Sequence, residues 1–203
     1  MFNTWTWLDF AFVISFITFV IAYVGMEIVY KKYKTMPAPS SIPMRNATIK
    51  ALTDYIPPDQ PRDKKLVILE PGAGWGALAI AASKAYKNAP FDIEIRAYEV
   101  SHAVFAILWL RSLLTKGRVK PILKSFYDDP FTDIDAVIVY QTIDLLKSMK
   151  PKFEAELPSH AMLFCNTFYI DGWAEIERRP IYKLIYDFNV YIYKKDQIKG
   201  ANI

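Results

Sequence analysis

The run Gly72–Gly76, with the sequence GAGWG, is the part of this chain best suited to hold a ligand. It follows a short apolar segment, Leu66–Leu69, and precedes Ala77–Tyr86, whose composition predicts a helix. A strand, a glycine-rich turn and a helix in this order open a nucleotide-binding α/β unit. Glycine suits such a turn because it accepts unusual backbone angles, and because a Cβ atom would fill the space that a cofactor needs.

Two acidic residues narrow the choice of cofactor. Glu70 stands two residues before Gly72, and Glu99 ends the second predicted strand. The pattern acid-x-Gly-x-Gly-x-Gly resembles the first motif of class I S-adenosylmethionine (SAM) methyltransferases. A carboxylate at Glu70 favours the cationic methionyl end of SAM and repels the pyrophosphate of a dinucleotide, which binds at a bare helix N-terminus. We therefore expect a SAM site. The alternatives are a dinucleotide site, or a turn without ligand in which Glu70 only caps the helix or pairs with a lysine.

The predicted cofactor contacts follow the first three strands. Glu99 would accept hydrogen bonds from the two ribose hydroxyls. After the third strand, Ser125, Phe126 or Asp128 would meet the adenine, although these residues also suit an ordinary loop. The full predicted set is Glu70, Gly72, Ala73, Gly74, Gly76, Glu99, Ser125 and Phe126.

The residues predicted to surround the methyl acceptor follow the fourth and fifth strands. They are Tyr140, Gln141 and Asn166. The alternative for Tyr140, which the sequence slightly favours, is a half-buried residue of the core. His102 and His160 stand alone in the sequence, so no metal site is predicted.

Apolar segments of strand length alternate with helical segments along most of the chain. This alternation predicts an α/β fold with a doubly wound, mostly parallel sheet, here of seven strands. The predicted strands are Leu66–Glu70, Ile93–Glu99, Val119–Leu123, Ala136–Tyr140 and Ala161–Asn166, with one or two antiparallel strands in Ile181–Lys194. The predicted helices are Met44–Tyr55, Ala77–Tyr86, Ala103–Leu114 and Leu145–Leu157. Pro121 places the third strand near a sheet edge.

The N-terminal region predicts one transmembrane helix. No residue from Phe10 to Met26 is charged, and with its apolar neighbours this segment can cross a hydrocarbon core of ~30 Å. A signal peptide would need a basic residue before the apolar segment, whereas the first one is Lys31. A buried core helix is disfavoured because such a helix is rarely apolar on every face. A helix packed within a larger membrane complex is also compatible with this sequence, and it does not exclude an anchor. The expected parts are an anchor (1–34), a linker with a short helix (35–65) and a SAM-binding domain (66–203).

The charge pattern sets the expected orientation. Lys31, Lys32 and Lys34 follow the span directly, and positive residues stay on the cytoplasmic side. We therefore expect a single-pass protein of a bacterial or mitochondrial inner membrane, with its catalytic domain on the cytoplasmic or matrix side. The one cysteine, Cys165, allows no internal disulfide and agrees with a reducing compartment. The net charge of +4 suits an anionic membrane surface and does not predict nucleic-acid binding.

The layout resembles the small membrane-anchored, seven-β-strand protein-lysine methyltransferases of mitochondria and their bacterial and archaeal relatives. The resemblance covers roughly Ile42 to Trp173. It rests on the segments IPMRNATIKAL, LVILEPGAGWGALAIAAS, IRAYEV, SFYDDPFTDIDAVIVY, KPKFEAEL and NTFYIDGW, together with the apolar span and its basic flank. The glycine motif of that family usually reads Asp-Leu-Gly-Ser-Gly-Asp-Gly-Arg. Here the three glycines are kept, and five other positions differ: Glu70, Pro71, Ala73, Trp75 and Ala77.

The resemblance implies SAM-dependent N-methylation of lysine in a membrane protein. Mitochondrial members of the family act on the adenine nucleotide carrier or on the c subunit of ATP synthase. Two other functions fit the sequence: methylation of a lipid-soluble small molecule such as a quinone or phospholipid, and a non-catalytic subunit of a membrane complex. The expected partners are the lipid bilayer and a membrane protein substrate or membrane complex, with neither nucleic acid nor metal.

Overall fold

The computed structural model describes residues 6–33, 40–183 and 187–198, and the chain divides into two compact units, residues 1–36 and 37–203. Within its described residues the first unit is one helix, α1 (Trp7–Tyr33). The carboxylate of Asp9 accepts hydrogen bonds of 2.7 Å from the backbone N–H and the hydroxyl of Thr6, which satisfies donors at the start of this helix. The segment Trp7–Gly25 has a mean hydropathy of 2.1 and none of it is buried. By length and composition it can cross a membrane.

Three of the sequence predictions fall partly outside the described residues. Lys34 of the basic flank and residues 35–39 of the predicted linker lie there, as do residues 184–186 of the predicted tail strands.

The second unit alternates helices and strands as the sequence predicts. Its helices are α2 (Ile42–Tyr55), α3 (Ala77–Ala85), α4 (His102–Ser112) and α5 (Ile143–Glu156). Its strands are β1 (Leu66–Pro71), β2 (Ile93–Glu99), β3 (Val119–Leu123), β4 (Ala136–Val139), β5 (Met162–Asn166), β6 (Glu177–Lys183) and β7 (Asp187–Lys194). The helix and strand limits before β6 agree with the prediction to within two residues.

The seven strands found in the described residues form one sheet in the order β3-β2-β1-β4-β5-β7-β6. The pairs among β1 to β5 are parallel, and β7 runs antiparallel to both β5 and β6. The expected doubly wound, mostly parallel sheet is confirmed. Pro121 lies in the outer strand β3, where a missing N–H leaves no inner partner unsatisfied.

Both faces of the sheet are covered. Leu66 and Ile68 of β1 belong to the apolar cluster on the side of α2, α3 and α4. Val67 and Leu69 belong to the cluster on the opposite side, which includes residues of α5. Because neighbouring strand residues point to opposite faces, a strand buried on both sides is apolar throughout. This explains the uninterrupted apolar run before the glycine turn.

The tail differs from the prediction at β6, which begins at Glu177 rather than at Ile181. The added segment Glu-Arg-Arg-Pro is polar because β6 is the outer strand of the sheet and pairs only with β7. Arg179 forms ion pairs with Glu177 and with Asp54 of α2. Charged residues and proline are usual on such an edge, so this strand gave no apolar signal.

Candidate functional site

The glycine turn lies at the carboxyl edge of the sheet, between β1 and its neighbours β2 and β4. Ligands of doubly wound sheets bind in the crevice where the strand order reverses, and β1 and β4 flank that point here. The N–H of Ala73 donates to the carbonyl of Tyr98 at 2.7 Å, which ties the turn to β2. On the other side, Nε2 of Gln141 donates to the carbonyls of Pro71 and Gly72 at 3.2 and 2.9 Å.

The three glycines of the turn all have positive φ angles: 69° for Gly72, 56° for Gly74 and 74° for Gly76. Side chains other than hydrogen are strained in this region. A Cβ atom on Gly74 would meet no atom within 4 Å, so its direction is open space. The turn therefore forms a cradle that a side chain at Gly74 would fill.

Glu99 connects this cradle to the end of β2. Its Oε2 accepts a hydrogen bond of 2.9 Å from the N–H of Gly74, and its Oε1 accepts from the N–H groups of Val100 and Ser101, both at 2.8 Å. A carboxylate offers about four lone-pair sites. One site on Oε2 is therefore left for a ligand hydroxyl, and a second hydroxyl would have to displace a backbone N–H.

Glu70 is buried at the end of β1, with 5% of its surface exposed. Its Oε2 accepts a hydrogen bond of 2.8 Å from the N–H of Ala79, the third residue of α3. Burial raises the pKa of Glu70 to about 8; the Ala79 hydrogen bond and the positive charge of Arg111 oppose this rise, and Glu99 adds to it. The carboxyl is therefore mostly protonated at pH 7. It caps α3, the role that the sequence left open beside cofactor binding.

Arg111 is a site residue that the sequence analysis did not identify. Its guanidinium, on α4, donates to the carbonyl oxygen of Trp75, the most exposed residue of the turn. The one available signal was that Arg111 is the single Lys or Arg residue in the otherwise apolar segment 103–111.

The residues predicted to meet the adenine have different roles in the structure. Ser125 caps a short 3-10 helix, where its hydroxyl accepts a hydrogen bond of 3.3 Å from the N–H of Tyr127. Phe126 is only 7% exposed and belongs to the apolar cluster that contains Leu69. Its ring lies 4.3 Å from that of Tyr127, which is 42% exposed. The short helix turns the Phe126 ring into the core, whereas a contact of Ser125, Phe126 or Asp128 with the adenine stays a prediction.

Tyr140 and Gln141 follow β4 at the same edge of the sheet as the glycine turn. Gln141 contacts the turn directly, as described above. Tyr140 is half-buried and packs against the cluster on the α2 side. Burial and, to a lesser degree, Tyr182 raise the pKa of the Tyr140 phenol, so its hydroxyl keeps its proton at neutral pH.

Asn166 does not lie at an open rim, because its side chain is completely buried at the end of β5. Its Nδ2 donates to the carbonyl of Met44 at 2.9 Å and to the hydroxyl of Thr48 at 2.7 Å, both on α2. Its Oδ1 accepts a hydrogen bond of 2.8 Å from the hydroxyl of Thr167, a β-branched residue with a φ of 71°. Asn166 therefore holds α2 against the sheet, which corrects the expectation that it faces the acceptor.

Several solved structures with the same fold are named as methyltransferases, whereas no protein-family model and no curated protein sequence matches this chain. An RNA methyltransferase from Salinibacter ruber, in complex with S-adenosyl-L-homocysteine, superposes with a TM-score of 0.65 at 14% identity, over 81% of this chain and 98% of its own. TrmK of M. capricolum, in complex with S-adenosyl-homocysteine, gives 0.55 at 12% identity, over 80% and 71%. A ribosomal-protein methylase from Lactobacillus delbrueckii subsp. bulgaricus gives 0.54 at 15% identity, over 75% and 77%. At these identities the similarity shows the fold, which is that of class I methyltransferases.

Proposed function

We propose that this protein is a SAM-dependent methyltransferase, anchored in a membrane by α1, that N-methylates lysine in a membrane protein. The cradle at Gly74 carries the cofactor part of this proposal. Its N–H is fixed by Glu99, and its Cβ direction is open space. Two of the structures with the same fold contain S-adenosyl-homocysteine, the product form of SAM, which supports the assignment.

The contact between Glu70 and α3 favours SAM over a dinucleotide. A pyrophosphate is bound by free N–H groups at a helix N-terminus. In this chain the N–H of Ala79 already donates to Glu70, at 2.8 Å. SAM has no phosphate, so it needs no free N–H group at the start of α3, and its positive charge suits the carboxyl group of Glu99 at the turn.

The chemistry asked of the chain itself is modest. SAM, when bound, supplies a methyl group on a cationic sulfur. The protein must place the acceptor in line with that group and keep water away. Gln141 uses its Nε2 to hold the turn, which leaves its Oε1 to accept a hydrogen bond from an amine. The protonated Tyr140 hydroxyl can also accept a hydrogen bond from an amine. An acceptor lysine must first lose a proton, because its unperturbed pKa is about 10.4.

The apolar helix α1 and the basic residues after it support the membrane part of the proposal. A 27-residue helix extends over ~40 Å, which exceeds a hydrocarbon core of ~30 Å. Lys31, Lys32 and Lys34 support a position of the second unit on the cytoplasmic or matrix side of a bacterial or mitochondrial inner membrane, because positive residues stay on that side. An anchored enzyme meets membrane-embedded acceptors at a raised effective concentration.

Calorimetric titration of SAM into the full chain in mild detergent tests the cofactor assignment. Gly74→Arg should abolish binding because its side chain fills the cradle. Gly117→Arg is the matched control: Gly117 also has a positive φ, 79°, and open space around its Cβ direction, but it lies in the connection between α4 and β3. Loss of binding in both variants, or no binding by well-folded wild-type protein, would overturn the cofactor assignment. The second result would favour a non-catalytic subunit of a membrane complex.

Labelling membranes with SAM that carries a tritiated methyl group tests the acceptor. We expect the label in the protein fraction, on lysine when the modified peptide is sequenced by mass spectrometry. Label that partitions into the lipid extract would instead identify a quinone or phospholipid acceptor.

A further inference from the structure

Helix α4 and the short 3-10 helix after it, Leu113–Thr115, expose an apolar surface to solvent. Val104 and Leu108 face the sheet and are buried. Five large apolar side chains on the outer side are 47–86% exposed, and we call them the α4 surface: Ile107, Trp109, Leu110, Leu113 and Leu114. Helices at the surface of a soluble domain carry polar residues on that side. Contiguous apolar side chains of this kind mark a contact with a partner or a membrane.

The sequence segment that carries the α4 surface is basic, although Lys124 at its end is paired with Asp129. Residues 100–127 contain no Asp or Glu and five basic residues, although the whole chain has a net charge of only +4. The basic residues are Arg111, Lys116, Arg118, Lys120 and Lys124. Lys116 follows the 3-10 helix directly, and Lys120 lies on the outer strand β3; both are exposed. Apolar side chains with a tryptophan and flanking lysines are typical of helices that lie in a membrane interface.

We propose that the α4 surface docks on an anionic lipid bilayer, with its apolar side chains among the acyl chains and Lys116 and Lys120 at the headgroups. Anionic lipid attracts basic residues next to a membrane. A second copy of this chain would instead bring like charges together at the rim of the contact, so the charge favours lipid as the occupant. The docking rests in part on the proposed anchoring, which would keep the chain at a membrane surface.

Docking of α4 would bring the candidate site close to the bilayer. Arg111 of α4 donates to the carbonyl of Trp75 in the glycine turn. Trp75 is itself 37% exposed. The α4 surface and the cofactor turn are thus joined by one side chain, and an enzyme docked in this way would meet acceptors at the membrane surface.

A spin label on the α4 surface tests the docking in the full chain. Leu110→Cys is labelled with a nitroxide in nanodiscs loaded at one chain per disc; Cys165 is buried and should not react. The matched control is Ala155→Cys, an exposed position on α5, on the opposite face of the sheet. In discs with anionic lipid we expect the ratio of oxygen to nickel-chelate accessibility to be several-fold higher at position 110 than at position 155. Lys116→Glu with Lys120→Glu should reduce this difference.

Three outcomes would overturn the docking. The first is equal exposure of both labels to the nickel chelate in anionic discs. The second is a difference that persists unchanged in neutral discs and in the charge-reversed variant. The third is protection of position 110 in detergent with dipolar broadening that disappears on dilution, which would assign the α4 surface to a second copy. A separate experiment tests the anchoring: release of the full chain from membranes by alkaline carbonate would overturn the anchoring by α1. The depth of the spin label in the bilayer would then still decide whether the α4 surface docks.

Discussion

The side-chain amide of Gln141 donates a hydrogen bond of 2.9 Å to the carbonyl oxygen of Gly72. This contact joins the residues after β4 to the glycine turn after β1, across the point where the strand order reverses. A Cβ atom on Gly72 would come within 2.4 Å of the same Nε2 atom. The glycine is therefore needed for its left-handed backbone and also for the space that Gln141 occupies.

We expect the effects of substitutions at these two positions to be coupled. Gly72→Ala should destabilise the protein by roughly 2–4 kcal/mol, from left-handed strain of about 1–2 kcal/mol and from overpacking against Gln141. In a Gln141→Ala background only the strain should remain, because the smaller side chain leaves room. Urea unfolding of the two single variants and the double variant in mild detergent gives the coupling free energy. The same cost for Gly72→Ala in both backgrounds would mean that Gln141 simply moves aside.

Substituting alanine for the other two glycines of the turn should distinguish the effect of packing on stability from the effect on SAM binding. Gly74→Ala should cost only about 1–2 kcal/mol of left-handed strain. Gly76→Ala should cost roughly 2–5 kcal/mol, because its Cβ would also lie 2.4 Å from Cδ1 of Leu108, a buried residue of α4. Of Gly74→Ala and the control Gly117→Ala, only the former should weaken SAM binding. Unfolding curves and calorimetry measure both effects, and equal SAM affinities in these two variants would place the ligand elsewhere.

Local patterns in the sequence were enough to predict the centre of the fold. The runs that became β1, β4 and β5 are apolar on both faces because helices or loops cover both sides of the sheet. The glycine turn was recognisable because its backbone angles exclude most other residues. These signals depend on neighbouring residues alone, so they can be seen without knowledge of the rest of the chain.

The direction of the site side chains depended on distant packing that no local pattern shows. Asn166 stands at the end of a parallel strand, where ligand contacts are common, but its amide binds α2 through Met44, 122 positions earlier in the chain. Phe126 follows a strand in the same way and is turned into the core by a three-residue 3-10 helix. Gln141 was predicted beside the acceptor, and its contact with Gly72, which spans 69 positions, was not predicted.

The buried carboxyl of Glu70 should make stability depend on pH. Its pKa of about 8 in the folded protein lies above the value of 4.5 for an exposed glutamate. The stability that the neutral carboxyl contributes is therefore complete below about pH 4.5 and is lost as the pH rises through 8. Glu70→Gln keeps the shape and cannot ionise, so its unfolding free energy relative to wild type should increase from pH 5 to pH 8.5. A difference that stays constant over this range would mean that the Glu70 pKa is not raised.

Replacing Asn166 by aspartate should show whether this residue holds α2 or faces the acceptor. The change puts a carboxylate oxygen where Nδ2 now donates to the Met44 carbonyl, in a completely buried position. We expect a loss of roughly 3–5 kcal/mol at pH 8, typical of an uncompensated buried charge. The loss should be smaller at pH 5, because burial raises the pKa of the new carboxyl and the neutral form is tolerated better. Asn46→Asp, an exposed position on the same helix, should change stability by about 0.5 kcal/mol or less.

The same Asn166→Asp variant also separates the two roles by its activity. If Asn166 only holds α2, methyl transfer should fall together with the fraction of folded protein and should recover where the fold recovers at lower pH. A variant that unfolds like wild type at pH 8 and yet loses methyl transfer would contradict this structural role. It would mean that Asn166 acts on the reaction itself, in addition to holding α2 against the sheet.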